Sequence, residues 1–234
     1  MFDYSQKVVI ITGGKGFLGS YLVRKYSELG AIVNVIDNQV NSEDIETNEG
    51  NIYYYKCDLN EETYVENTIK EIESKFNKID ILVNIAGGFT MSPKTHEIKL
   101  DDLYQMLDMN FVSMFNSTKF SLPSMLKHQH GKIVNIGARA ALSGANNMGP
   151  YVASKSMVLN YTQTIAKEYI DSNINVNCVL PGTIDTPRNR NDMPNANHNL
   201  WVPIEDISNL ILFLTSEFSS SISGALIPIY GKTL

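Results

Sequence analysis

Short apolar runs alternate with longer amphipathic stretches along the whole chain, and this alternation is what most limits the folds open to it. The runs are Val8–Ile11, Ile32–Ile36, Ile52–Tyr55, Ile79–Ile85, Lys132–Ile136, Ile174–Leu180 and Leu226–Ile229. Each has the length of a strand, and most are rich in Val and Ile. Helical periodicity fills the intervals, over Leu18–Leu29, Glu62–Phe76, Asp101–Leu126, Tyr151–Ile170 and Glu205–Thr215. Strands that are apolar on both faces, each followed by a helix, predict an α/β fold: a parallel sheet covered by helices on both sides.

With 234 residues the chain can bury one α/β core, and no linker or repeat divides it, so residues 1–234 read as a single domain. The formal charge of −6 argues against a nucleic-acid binder or an anionic-membrane binder, since both need a basic surface. Cys57 and Cys178 sit in apolar runs without metal-ligand spacing and read as buried thiols. His96, His128, His130 and His198 show no ligand spacing either, so no metal is expected. Residues 1–7 lack a secretory signal pattern and no apolar run is long enough to span a membrane, which predicts a cytoplasmic location.

Thr12-Gly13-Gly14-Lys15-Gly16-Phe17-Leu18-Gly19 follows the first strand and opens the first helix. Gly13, Gly16 and Gly19 allow a tight turn, close approach of backbone to a pyrophosphate, and close helix–strand packing, with the helix N-terminus facing the phosphates. Phe17 and Leu18 open that helix and are counted with Lys15 among the residues facing the cofactor. Asp37 ends the second strand, eighteen residues after Gly19. A carboxylate there accepts hydrogen bonds from the adenosine ribose and repels a 2′-phosphate, so NAD(H) is preferred. Lys15 pulls the other way, because a cation in the phosphate turn leaves NADP(H) open.

Tyr151-Val152-Ala153-Ser154-Lys155 puts a phenol and an ammonium four residues apart, on one face of a helix. A neighbouring ammonium is expected to lower the phenol's pKa and make it a usable acid or base.

The glycine turn, Asn84-Ile85-Ala86-Gly87, Asn110, the Tyr151/Lys155 pair and Pro181-Gly182 occur in the order found in the short-chain dehydrogenase/reductase family, which the chain resembles over nearly its whole length. The resemblance implies a Rossmann-type, doubly wound sheet of seven strands. It implies Tyr151 as catalytic acid/base, Lys155 tuning it and binding the nicotinamide ribose, and Asn110 holding a water in the proton relay. Asp58 and Leu59 would flank the adenine, Asn84, Ala86 and Gly87 would line the cofactor with Pro181 and Gly182, and Ile184 and Thr186 would meet the carboxamide. The helices Asp101–Leu126 and Tyr151–Ile170 have apolar faces wider than a sheet needs, and in this family such helices pair across a two-fold, implying a homodimer or homotetramer.

Two departures stand out. The glycine spacing is that of longer family members that carry an extra substrate domain, for which this chain is too short. The position of the usual catalytic serine, thirteen residues before Tyr151, holds Ala138. Gly137-Ala138 with Ala140-Ala141-Leu142, then Leu180-Pro181, Asp185-Thr186-Pro187, Asn189-Arg190, Met193-Pro194 and Trp201, resemble the dihydropteridine reductase branch, whose members work without that serine. Ala86-Gly87-Gly88-Phe89 fits the same branch. The expectation is an NAD(H)-dependent oxidoreductase that transfers hydride to a quinonoid pterin or a related carbonyl or quinonoid small molecule. The alternatives are an alcohol or sugar dehydrogenase of the family, and a non-catalytic NAD(H)-binding sensor. The irregular stretch 183–203 reads as a substrate loop, with Ala138, Arg190 and Trp201 as candidate substrate residues. Trp201 stands equally as a stacking surface or as an anchor of the loop.

Overall fold

The computed structural model describes residues 2–46 and 50–233. Seven strands, β1 (Val8–Thr12), β2 (Ile32–Asp37), β3 (Ile52–Lys56), β4 (Ile81–Asn84), β5 (Gly131–Ile136), β6 (Ile174–Pro181) and β7 (Leu226–Ile229), form one sheet. Their order is β3-β2-β1-β4-β5-β6-β7 and every pairing is parallel. All seven apolar runs of the sequence become strands. Around them lie α1 (Phe17–Glu28), α2 (Ser42–Glu46), α3 (Glu62–Phe76), α4 (Leu100–Leu107), α5 (Ser113–His128), α6 (Gly149–Glu168), α7 (Pro187–Asp192) and α8 (Ile204–Thr215).

The period of two along β1 separates the core into two layers. Val9 and Ile11 face one cluster, with Val33, Val35, Leu22, Val23, Tyr26, Ile207 and Ile211, which is the layer under α1 and α8. Val8 and Ile10 face the other, with Ile36, Leu82, Ile133, Ile69, Ile72, Met125 and Ile165, under α3, α5 and α6. Helix α3 shows how the pattern sets the element. Val65, Ile69 and Ile72 recur at four and three residues and form its buried stripe, and the helix stops at Asn77, which takes the left-handed conformation at φ 62°. Cys57 and Cys178 are both buried free thiols.

The long helix expected over Asp101–Leu126 is interrupted. Between α4 and α5 the chain makes a π-helical turn, Asp108–Val112, which carries Asn110. Such turns widen the helix by one residue and are frequent at functional sites.

Strand order reverses between β1 and β4. At that switch point the turns after both strands lie side by side at the carboxyl edge of the sheet, where open α/β sheets take ligands.

Candidate active site

The two turns at the switch point are locked together. The Thr12 hydroxyl accepts hydrogen bonds from the backbone N–H groups of Ile85 (3.2 Å) and Ala86 (3.3 Å). Gly13, at φ 68°, lies so close to the second turn that a Cβ there would stand 2.8 Å from the Ala86 backbone. A Cβ on Gly19 would meet the Gly13 carbonyl at 2.2 Å, so this glycine is required for helix–strand packing. Gly16 differs: its missing Cβ faces only the Gly13 carbonyl, at 3.3 Å, and no side chain caps the N-terminus of α1. Open backbone and uncapped N–H groups at the start of a twelve-residue helix form an anion cradle, and the fit to a dinucleotide pyrophosphate is good. Leu18 is turned into the core, so only its backbone faces this cradle, whereas the Phe17 ring is half exposed.

Asp37 ends β2 as a buried carboxylate. Its oxygens accept the backbone N–H groups of Lys15 (3.0 Å) and Gln39 (2.9 Å). The Lys15 ammonium does not point into open solvent; it donates to Asp44 on α2 at 2.6 Å. Beyond β3, the exposed Asp58 accepts from the Asn60 N–H (3.0 Å), and the Leu59 carbonyl accepts from Asn116 (2.9 Å). A cavity of about 450 Å³, lined by Asn38, Cys57, Asp58, Tyr64 and Thr68 among others, opens beside these residues.

The chemical end is built by α6, which presents Tyr151 and Lys155 one turn apart. Lys155 is 5 % exposed and its ammonium donates to the Ile136 carbonyl at the end of β5 (2.8 Å). Burial lowers its pKa to about 8. Tyr151 is half-buried, and its ring makes a T-shaped contact with Phe89 at 4.9 Å, 87° between planes. Burial raises the phenol to about 12. This corrects the expectation that Lys155 lowers it. The ammonium is spent on a carbonyl, and desolvation of the phenol wins over any charge effect.

Asn110 is fully buried, and its side chain is a strut rather than a free donor. Its oxygen accepts the Gly88 N–H (2.9 Å), its amide donates to the Ser154 hydroxyl (3.1 Å), and that hydroxyl donates to the Tyr151 carbonyl (2.8 Å). Gly87 completes the cluster: a Cβ there would lie 2.7 Å from the Asn110 oxygen and 3.4 Å from the Lys155 ammonium. Asn84 is corrected. Its side chain faces the core, donating to Thr118 (3.1 Å) and Asn135 (2.8 Å) and accepting from Ser117 (2.7 Å), so only its backbone borders the cradle. Ala138 is buried in extended backbone at the carboxyl end of β5, while Ser143 closes the next 3-10 turn and is exposed.

The stretch 183–203 is more ordered than its composition suggests. Its base is closed by the bridge between Ile184 and Val202, with Val202 N–H donating to Thr183 (2.9 Å) and Asp185 N–H to Val202 (2.9 Å). Thr186 spends its hydroxyl capping α7, accepting from the Asn189 N–H at 3.1 Å. Arg190 is held by both Asp185 oxygens, at 2.6 and 2.7 Å, so its guanidinium is already matched by a carboxylate. Trp201 lies at the foot of this stretch. It is buried against His198 (4.4 Å between rings) and abuts Gly231, where a Cβ would stand 2.6–2.9 Å from the Leu200 and Trp201 backbone. Gly182 packs less tightly on Tyr230 and Thr233, where a Cβ would stand 3.2–3.3 Å away.

The sequence reading did not reach Ser154 or Asp44. Ser154 lies inside the Tyr151–Lys155 motif, and a small hydroxyl beside the lysine was its only signal. Asp44 had none, since nothing in its sequence neighbourhood points at Lys15.

A family model described as short chain dehydrogenase matches residues 7–197. The chain belongs to the short-chain dehydrogenase family. Among curated relatives, a 3-oxoacyl-[acyl-carrier-protein] reductase of Thermotoga maritima is 29% identical over 240 residues, covering 96% of both chains. An L-fucose dehydrogenase of Bos taurus is 31% identical over 185 residues, covering 79% of this chain and 68% of its own length. The crystal structure of an NAD+-bound xylitol dehydrogenase superposes with a TM-score of 0.87 at 25% identity, covering 97% of this chain and 99% of that one. With the family goes the activity class: the protein is an NAD(P)-dependent oxidoreductase.

Proposed function

We propose that this protein is an NAD(H)-dependent reductase of small molecules that are already strong hydride acceptors, of which a quinonoid pterin is the model case. The observation that carries this reading is Ala138 beside a complete Tyr151, Lys155 and Asn110 set. A serine at that place would donate a hydrogen bond to the oxyanion that develops as a ketone is reduced. A methyl group cannot, and an acceptor that needs little polarisation does not require it.

The chain's own groups are those a reduction needs. Tyr151 supplies the proton from its hydroxyl, which is protonated at neutral pH. Lys155, buried between Ile136 and Gly87, places a cation within reach of the same edge of the cofactor cradle. Asn110 and Ser154 fix the loop after β4 against α6, and Phe89 shields Tyr151 from water on one side. A dinucleotide whose pyrophosphate is held in the cradle would supply the hydride, and Tyr151 would supply the proton that the reduced acceptor carries away. Asp37, a buried carboxylate at the ribose end, supports NAD(H) over NADP(H).

The second reading, an alcohol or sugar dehydrogenase, is favoured by the relatives, which include an L-fucose dehydrogenase and a borneol dehydrogenase. An acceptor panel separates the two. Quinonoid dihydropterin and other quinonoid acceptors should be reduced with NADH, while plain ketones and simple alcohols should turn over poorly, and Tyr151→Phe should abolish the activity. Ala138→Ser should raise ketone reduction selectively, by on the order of a hundredfold to a thousandfold at most, since one well-aimed donor at an oxyanion is worth roughly 3–4 kcal/mol. Efficient ketone or sugar turnover by the unmodified enzyme would overturn the first reading in favour of the second.

A further inference from the structure

Lys15 is the one residue of the phosphate turn whose charge suits a 2′-phosphate, and the structure places it under restraint from two carboxylates. Its backbone N–H donates to Asp37 (3.0 Å) and its ammonium donates to Asp44 (2.6 Å). The side chains of the ion pair are 30% and 17% exposed, so the contact is only partly screened by solvent. Asp44 is itself fixed. Its second oxygen accepts the Asn41 N–H (2.9 Å), and its own N–H donates to the Asn41 side chain (3.0 Å). The ammonium also lies 5.8 Å from the centre of the Tyr54 ring.

From this geometry we infer that Asp44 is a cofactor-specificity residue, a latch that holds the Lys15 ammonium on α2 and withholds it from the 2′-phosphate of an incoming dinucleotide. The inference rests on the reading of Asp37 as the ribose-binding carboxylate. It adds a second determinant that acts through a different residue. Asp37 repels a phosphate directly. Asp44 removes the cation that would otherwise compensate, leaving two carboxylates to one ammonium where the phosphate would sit. A charge-assisted hydrogen bond is formed in the resting protein, so a phosphate must displace a carboxylate to gain one. Lys15 is stabilised in its charged form mainly by this bond, and Asp44 is held below the usual carboxylate range mainly by the same bond.

The test is a titration of NADH and NADPH, followed by nicotinamide fluorescence, on the wild type, Asp44→Asn, Lys15→Met and the double variant. Asp44→Asn keeps the shape of the side chain and its acceptor for the Asn41 N–H. It should raise the NADPH-to-NADH affinity ratio about tenfold, the effect of gaining one charge-assisted contact. Lys15→Met in the Asp44→Asn background should abolish that gain, because the latch acts only through Lys15. A ratio unmoved by Asp44→Asn in an enzyme that prefers NADH would overturn the latch and leave the Asp37 reading standing. A gain that persists in the double variant would overturn it as well, since Asp44 would then act by its own charge alone. A wild type that prefers NADPH, and loses that preference in Lys15→Met, would overturn the latch and the NAD(H) preference together.

Discussion

Lys155 and Tyr151 are four residues apart on one helix, yet each is governed more by what buries it than by the other. The ammonium of Lys155 is held at about 8 because burial penalises the charged form, with only the Ile136 carbonyl in hydrogen-bond contact. That makes it a measurable term in stability. The unfolded chain binds this proton up to about pH 10.5, while the folded chain releases it from about pH 8. Between those values the unfolded state holds more protons, so stability contributed at this site rises with pH and is lowest below pH 8. From pH 7 to 9.5 the wild type should gain about 2 kcal/mol relative to Lys155→Met, in denaturant unfolding monitored by Trp201 fluorescence. Lys132, also lowered by burial, contributes in the same direction to both proteins and cancels in the comparison. Equal pH dependence of the two would place Lys155 in a wetter site than the structure gives it.

The elements around the site differ in how plainly the sequence declared them. The strands and the glycine turn were legible because their causes are local: β-branched runs of strand length, and glycines where a Cβ would collide with Ala86 or with the Gly13 carbonyl. The place of Asp37 at the end of the second strand was legible by its distance from that turn. What was not legible depends on partners far away in sequence. Asn84 looks like a cofactor residue in its motif, but Ser117, Thr118 and Asn135 turn it inward. Trp201 is decided by Gly231, and Lys15 by Asp44. The π-turn Asp108–Val112 is another such case, since a continuous apolar pattern does not show where one residue is inserted. This turn delivers Asn110 to Gly88 and Ser154, which gives Ser154 a positioning role. Ser154→Ala strands the buried Asn110 amide without its acceptor, a loss of about 1–3 kcal/mol in stability. Because the strut ends on the Tyr151 carbonyl, kcat should fall more than KM rises, and Ser154→Thr, which keeps the hydroxyl, should restore part of it. A loss of stability with unchanged kcat in Ser154→Ala would reduce the strut to packing.

At the scale of the whole molecule, the sheet and its two helix layers account for the buried strands but not for the outer faces of α4, α5 and α6. Leu100, Tyr104 and Met157 are 60%, 52% and 40% exposed. On the π-turn, α5 and α6, Phe111, Phe115 and Tyr161 form a cluster of tilted and edge-on rings with centres 5.6–6.2 Å apart, and all three are half-buried. Exposed apolar side chains of this kind on successive helices suit an interface. We propose that a second copy of the chain covers it, with these helices crossing those of the partner about a two-fold axis. In a two-fold contact the same patch serves both partners, so one charge placed in it is felt twice. Phe115→Glu should therefore convert the assembly to monomer in size-exclusion chromatography with light scattering. It should also lower turnover, because α5 runs directly from the π-turn that seats Asn110, and α6 carries Tyr151 and Lys155. Disassembly would loosen both supports at once while leaving the glycine turn after β1 untouched, so NADH affinity should fall less than kcat. A wild-type protein that runs as a monomer at assay concentration, with full activity, would sink this prediction.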